Sequence, residues 1–239
     1  MKRLIAIFLA AFCVLHADFS QSVLTANGLA AFIAPAAGGG GGGGDITTAM
    51  THRWPCEEGS GTTVSDPIGS DTGTLHGSVG WTSGQIGSFA LSFPGASGSG
   101  ITLASGVNTS TTFTIAAWVF RSTGAGGYEN LFTQNSTAGF WIKAGKIDFF
   151  FAGADHLSNT LIPLGWHHIA MTCNAGSFTF YLDGATDGTG SGFSSNISIN
   201  CMGADNGTGG EPLTGNLDDI RFYTRALTAT DISTLYAFR

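Results

Sequence analysis

Carboxylates are the first side chains of this 239-residue chain that could do chemistry. Hydrolysis of a glycosidic bond with retention needs two carboxyl groups about 5 Å apart, one as nucleophile and one as acid. The four glutamates, Glu57, Glu58, Glu129 and Glu211, do not belong to a run of carboxylates that alternates along a strand. Asp218 and Asp219 are adjacent, so alternation along a strand points them to opposite faces. The sequence therefore predicts no catalytic pair and favours a protein that is not an enzyme.

Histidines offer a second route to catalysis or to metal binding. His167 and His168 stand side by side, but no Gly-x-Ser-x-Gly elbow supplies a nucleophile for them. The six histidines also lack the His-x-x-x-His spacing of a zinc site. We therefore interpret His167 and His168 as packed or half-exposed residues of a sheet.

The strand pattern around these histidines organises the chain. Gly165–Gly184 contains two apolar arms around a Gly-containing turn, which predicts a β-hairpin. Its first arm sets Trp166 and His168 on one face, and His167 and Ile169 on the other. Phe113–Arg121 is apolar on both faces, which is typical of a strand that is covered on both sides.

About a dozen short strands separated by turns predict an all-β, antiparallel β-sandwich or jelly roll. Thr228 with Asp231 three residues later resembles a capping box and predicts one short C-terminal helix. The other predicted strands are Leu75–Trp81, Phe89–Phe93, Ile101–Leu103, Leu131–Gln134, Gly139–Lys143, Lys146–Phe151, Asn196–Cys201 and Leu217–Tyr223.

The N-terminal part differs in composition from the rest. Residues 1–17 combine Lys2 and Arg3 with a short apolar run, which predicts a signal peptide; an uncleaved anchor or a buried strand is the alternative. Residues 18–49 are of low complexity, and their glycine run, 38–44, is typical of a flexible linker. We therefore predict a single domain over 50–239.

Charge and cysteine content limit the classes of partner. A net charge of −7 with nine scattered basic residues argues against binding to nucleic acid or to anionic membranes. No membrane insertion is expected beyond the signal segment. Outside that segment lie Cys56, Cys173 and Cys201, and either a Cys173–Cys201 disulfide or three buried thiols would account for them.

Five ordered segments resemble a LamG-like jelly-roll domain of the concanavalin A-like lectin/glucanase superfamily. They are WPCEEGSGTTVSD (54–66), IGSFALSFPG (86–95), FTIAAWVF (113–120), GWHHIAMTCNAGSFTFYLDG (165–184) and GNLDDIRFYTRALTATDISTLY (215–236). The resemblance implies the concanavalin A-like jelly-roll fold. It implies no single activity, because that fold carries lectins, enzymes, adhesion modules and parts of virions.

The resemblance also implies a structural Ca²⁺ site at Glu57, Asp66 and Asp218. Ca²⁺ prefers carboxylate and carbonyl oxygens, and a buried carboxylate is costly unless it is paired or bound to metal. Arg53, Arg221 or the backbone amides of a turn are the alternative partners of Asp218.

Carbohydrate binding in such folds uses aromatic rings that stack on sugars, together with polar groups that bind hydroxyls. We expect such a site at Tyr128, Asn130, Trp141 and Asp155. Phe149, Phe151, Phe193 and Asn135 are further candidates.

The function predicted from the sequence is a non-catalytic carbohydrate-binding or adhesion module. Its partner would be a glycan or a surface, and the protein would be secreted or exposed at the cell surface. A structural or virion-surface protein is the alternative, and a glycoside hydrolase ranks third.

Overall fold

A computed structural model describes residues 45–123, 126–134, 137–205 and 209–238. The predicted signal peptide, the glycine run and Asn135 lie outside these residues. Within them the chain forms 15 strands and one helix, which are numbered along the sequence.

The first sheet contains eight strands, all paired antiparallel, in the order β13-β12-β11-β7-β15-β5-β4, with β1 paired to β15. They are β1 (Met50–Trp54), β4 (Gly80–Ser83), β5 (Phe89–Pro94), β7 (Phe113–Arg121), β11 (Gly165–Asn174), β12 (Ser177–Leu182), β13 (Ala185–Gly190) and β15 (Thr214–Tyr223). The first half of β15 pairs with β5, and its second half pairs with β1.

The second sheet contains seven antiparallel strands in the order β10-β9-β8-β14-β6-β3-β2. They are β2 (Thr63–Val64), β3 (Gly73–His76), β6 (Gly100–Asn108), β8 (Tyr128–Gln134), β9 (Ala138–Lys143), β10 (Lys146–Phe150) and β14 (Ser198–Met202). The two sheets confirm the predicted all-β sandwich.

The core lies between the sheets and follows the predicted alternation of the strands. In β11, Ile169, Met171 and Cys173 belong to the core cluster, and β7 contributes Phe113 and alternate residues after it. Such regular alternation in neighbouring strands places one apolar face of each sheet against the other.

The C-terminal helix α1 (Ala229–Ala237) begins with the predicted capping box. Thr228 accepts a hydrogen bond from the backbone of Asp231, whose side chain accepts one from the backbone of Thr228. Ile232 and Leu235 of the helix join a second apolar cluster with Ala170 and other outward residues of the first sheet. The helix therefore packs against the outer face of the first sheet.

Two features of the strands differ from the prediction. Leu75–Trp81 is not one strand, because the chain turns between β3 and β4, where Gly77 has a φ of +64°. β13 was not predicted, since its sequence, ATDGTG, lacks an apolar alternation.

Cys56, Cys173 and Cys201 are free and buried, so the structure contains the three buried thiols rather than a Cys173–Cys201 disulfide.

The chain after β10 joins the edges of the two sheets. The amide of Phe149 donates to the carbonyl of His156 at 3.0 Å, and that of Ser158 donates to the carbonyl of Ile147 at 2.8 Å. One residue further, the amide of Asn159 donates to the carbonyl of Asp187 in β13 at 2.8 Å. The segment 156–160 therefore covers β10 and ties it to the edge of the other sheet.

Candidate functional site

The candidate site lies on the outward side of β8, β9 and β10. Alternation puts Ile142 and Phe149 in the core, and Trp141, Asp148 and Phe150 on the outer side. The strand register places Tyr128 opposite Lys143, Asn130 opposite Trp141, and Trp141 opposite Asp148. The outer β8–β10 surface is defined by Tyr128, Asn130, Trp141, Lys143, Asp148 and Phe150, with Asp155 and Glu211 from neighbouring loops.

Tyr128 and Asp155, both predicted from the sequence, contact each other directly and share a third residue, Lys143. The Tyr128 hydroxyl donates to Asp155 Oδ1 at 3.0 Å. The Lys143 ammonium donates to both residues and lies 4.4 Å from the centroid of the Tyr128 ring. Lys143 was not predicted, although its position two residues after Trp141 in β9 implies the same face.

The aromatic side chains form a layer of three rings. Phe150 stacks on Trp141 with centroids 4.6 Å apart, and Tyr128 meets Trp141 edge to face at 5.2 Å. Trp141 is only 4% exposed, whereas Tyr128 and Phe150 are partly exposed. Trp141 therefore supports the layer, and Tyr128 and Phe150 offer the accessible rings.

Asn130 is completely buried beneath the loop that carries Glu211. Its Nδ2 donates to the carbonyl of Glu211 at 3.2 Å, and the backbone amide of Asn130 donates to the same carbonyl at 2.9 Å. Its Oδ1 has no hydrogen-bond donor within the structure. Asn130 therefore ties the Glu211 loop to β8, and its contact with a ligand stays a prediction.

Asp148 and Asp155 form a carboxyl pair below the rings. Asp148 Oδ1 accepts a hydrogen bond from the amide of His156 at 2.9 Å. Burial, and then the neighbouring Asp155, raise the pKa of Asp148 to about 7. Burial acts to raise the pKa of Asp155 as well, but Lys143 and Tyr128 donate to it and lower that pKa overall. The pair therefore contains one anion and one carboxyl that holds its proton up to near-neutral pH.

The four residues predicted to bind a sugar thus lie on one surface, but three other candidates do not. Phe149, Phe151 and Phe193 belong to the core, which corrects their assignment as possible stacking residues. Asp148, Phe150 and Glu211 were missed. Because Ile147 is apolar and faces the core, alternation along β10 would have placed Asp148 and Phe150 on the outer side.

The residues predicted to bind calcium do not form one cluster. Asp66 accepts hydrogen bonds at Oδ1 from three backbone amides, at 2.8–3.0 Å, and its Oδ2 lies 2.7 Å from His52 Nδ1. Both oxygens of Asp66 are therefore already bound, which leaves it a poor ligand for a metal ion.

Asp218 and Glu57 instead hold the same turn, 85–88. Asp218 Oδ2 accepts from the amides of Gln85 at 2.8 Å and Ile86 at 2.9 Å, and Glu57 accepts from the amide of Ser88 at 3.0 Å. Asp218 Oδ1 has no donor, and burial raises the pKa of this carboxyl to about 7. Backbone amides are thus the partners of Asp218, as one of the predicted alternatives had it.

The two arginines considered for Asp218 bind its neighbour. A bulge in β15 gives Asp219 a φ of +44°, and Arg53 and Arg221 form ion pairs with Asp219 at 2.8 Å and 2.7 Å. In the part of the chain that the structure describes, no three His, Cys, Asp or Glu side chains are grouped so that they could hold a metal ion. Calcium binding therefore stays a prediction.

His167 and His168 belong to the scaffold. His167 Nδ1 lies 2.7 Å from Asp183 Oδ2, across the β11–β12 hairpin. His168 is 3% exposed and packs edge to face with Trp118 at 5.4 Å. Burial lowers the pKa of His168 to about 4, so the imidazole is neutral at pH 7.

Residues 95–233 match the family described as the concanavalin A-like lectin/glucanases superfamily, and the chain belongs to that family. A comparison with curated protein sequences found no significant match. None of the described helices is long and apolar enough to cross a membrane.

Solved structures with the same fold include domains of extracellular and toxin proteins. Domain 4 of AbnA, a GH43 extracellular arabinanase from Geobacillus stearothermophilus in complex with arabinotriose, is 21% identical, with a TM-score of 0.64. The alignment covers 78% of this chain and 98% of that domain.

Two toxin structures are similar over about half of their own length. The binding domain of Paraclostridial Mosquitocidal Protein 1 is 18% identical, with a TM-score of 0.61 and coverage of 80% of this chain and 52% of that one. The binding domain of botulinum neurotoxin DC in complex with SialylT is 14% identical, with a TM-score of 0.59 and coverage of 81% and 52%. At these identities the likeness concerns the fold.

Proposed function

We propose that this protein is a non-catalytic carbohydrate-binding module that binds its ligand on the outer β8–β10 surface. The observation that carries the proposal is the pair of accessible rings, Tyr128 and Phe150, that Trp141 supports. Partly exposed polar side chains, Lys143 and Asp155, lie beside these rings. Accessible rings with polar groups at their edge match what a sugar offers, which is apolar C–H faces edged by hydroxyl groups.

The carboxyl groups of this surface favour binding over hydrolysis. Asp148 is buried and accepts a hydrogen bond from the amide of His156, and Asp155 is bound by Lys143 and Tyr128. A glycosidase needs two carboxyl groups that can reach the sugar, one to protonate the leaving group and one to attack or to activate water. The similar structures solved with arabinotriose and SialylT support a glycan as ligand without identifying it.

The first test removes an accessible ring. Replacing Tyr128 by alanine is expected to weaken glycan binding by roughly 3- to 10-fold, because stacking on an aromatic ring contributes about 0.5–1.5 kcal/mol. Binding is measured by titration calorimetry against glycans selected on an array. Phe89→Ala is the matched control, since Phe89 is 40% exposed on β5 of the other sheet. Equal losses of glycan affinity in both variants would argue against ligand binding on the outer β8–β10 surface.

Calcium remains part of the proposal at Asp218, whose Oδ1 has no donor. At a hundredfold excess over its dissociation constant, Ca²⁺ is expected to stabilise the fold by about 2.7 kcal/mol, or roughly 5–10 °C in Tm. Thermal melts in Ca²⁺ and in EDTA measure this rise in Tm. Asp218→Asn should abolish the rise in Tm, whereas Asp66→Asn should retain it. A rise that persists in Asp218→Asn would mean that the ion binds elsewhere.

Export is the remaining part of the proposal. If residues 1–17 act as a signal peptide, the mature protein begins at Asp18 and has lost two positive charges. Intact-mass spectrometry of the protein purified from its own cells should find that N-terminus. A chain that retains Met1 would favour the structural or virion-surface alternative.

A further inference from the structure

The outer β8–β10 surface is crowded with acidic groups. Asp148, Asp155 and Glu211 contribute carboxyl groups, and Lys143 and Lys146 are the cations that β9 and β10 place beside them. Burial, and then the charge of Asp205, raise the pKa of Glu211, which indicates that carboxylates repel one another here. A further anion brought to this surface would add to that repulsion.

Both cations are already bound to oxygen atoms. The Lys143 ammonium donates to the Asp155 carboxylate and to the Tyr128 hydroxyl. The Lys146 ammonium donates to the carbonyl of Asn159 at 2.9 Å. An acidic ligand would have to displace these contacts before either lysine could neutralise it.

Arginine, the residue best suited to bind a carboxylate in two places, is engaged elsewhere. In the described residues, the partners of the arginines are Asp219 for Arg53 and Arg221, the carbonyl of Ile162 and Glu129 for Arg121, and Asp231 for Arg225. Of these partners only Glu129 belongs to β8, β9 or β10, and alternation turns it away from the outer surface, because it lies between Tyr128 and Asn130.

The accessible carboxyl groups have a matching preference. Asp155 is partly exposed and Glu211 is exposed, and an ionised carboxylate accepts hydrogen bonds only. Hydroxyl groups of a neutral sugar can donate to such oxygens. The carboxylate of an acidic sugar can only accept, so it forms no hydrogen bond with them and adds a negative charge beside them.

From these contacts we infer that the outer β8–β10 surface binds neutral, hydroxyl-rich oligosaccharides and discriminates against glycans that carry sialic or uronic acids. The inference rests on the proposed function and specifies its ligand class. The inferred ligand class differs from the one that the SialylT complex of the similar toxin domain would suggest for this chain. Like charges brought together across an interface cost enough to reduce affinity by at least about tenfold.

The test measures binding of the whole protein to matched pairs of glycans at low salt and neutral pH. One member of each pair is neutral, such as lactose or arabinotriose, and the other carries an added sialic or uronic acid. We expect the neutral member to bind at least about tenfold more tightly. Glu211→Gln removes one negative charge and is expected to narrow that ratio several-fold, and 0.5 M NaCl should narrow it too.

The outcomes separate the inference from the function on which it rests. Equal or tighter binding of the acidic members overturns the inference and leaves carbohydrate binding intact. If neither Glu211→Gln nor added salt changes the ratio of the affinities for the neutral and the acidic glycan, charge does not set the preference. That result also overturns the inference. Binding of no member of the panel contradicts the proposed function, and the inference fails with it.

Discussion

Replacing Phe149 by alanine is expected to lower the free energy of unfolding by about 3–5 kcal/mol. Phe149 is fully buried, stacks on Phe140 at 4.9 Å and meets Phe178 edge to face at 5.3 Å. Phe151 and Phe193 also pack against it, at 4.8 Å and 5.0 Å. Loss of the Phe149 ring therefore leaves a cavity that is lined by the four neighbouring phenylalanine rings. Urea unfolding followed by tryptophan fluorescence measures the change.

The control for Phe149→Ala is again Phe89→Ala, which removes the same atoms from a position that stays 40% exposed. Its expected effect is smaller, about 1 kcal/mol, since this ring keeps much of its contact with water and its removal leaves no enclosed cavity. A Phe149→Ala protein as stable as the control would mean that the cavity collapses. The neighbouring rings would then be far less constrained than their contacts indicate.

Acidification is expected to destabilise the fold through His168. Its pKa is about 4 in the folded protein against 6.5 for an unperturbed histidine, so the folded state binds fewer protons than the unfolded state between these values. Stability from His168 is therefore fully present above pH 6.5 and falls as the pH decreases to about 4. A difference of about 2.5 pKa units corresponds to roughly 3 kcal/mol.

His168→Phe isolates this contribution, because phenylalanine fills a similar place beside Trp118 and does not titrate. The Asp148 and Asp218 carboxyls, with pKa values raised to about 7, act in the opposite sense: their effect favours the folded state as the pH falls from 7 towards 3.8. Stability is therefore measured from pH 8 to 4 in both proteins, and the difference between them is the quantity of interest. Parallel curves would show that His168 is not buried in the neutral form. NMR titration of the imidazole gives an independent measure.

Alternation of apolar residues predicted the parts of the fold in which strands run without interruption. Met171 and Phe113 face the core as their positions in the strands require. The same logic failed where the backbone departs from an extended strand. The turn at Gly77 divides β3 from β4, and the bulge at Asp219 interrupts the alternation that was assumed for Asp218.

The structure brings together the candidate sugar-binding residues but not the candidate metal ligands. Tyr128 and Trp141 share an outer face because β8 and β9 are neighbouring antiparallel strands, and Asp155 reaches that face from the loop after β10. Asp66 has the chemistry of a calcium ligand, but the turn that follows it donates two of its own amides to the carboxylate. A sequence does not reveal which backbone groups a carboxylate will satisfy first.

The segment 156–160, which joins β10 to β13, has a consequence for how the protein behaves in concentrated solution. An uncovered edge strand presents rows of free amides and carbonyls, on which a second molecule can add a strand and start aggregation. Here Ile147, Phe149 and Asp187 have part of their outward hydrogen bonding met within the same chain. This side of the sandwich is thereby protected against strand addition between molecules, even though few charged side chains are present to keep copies apart.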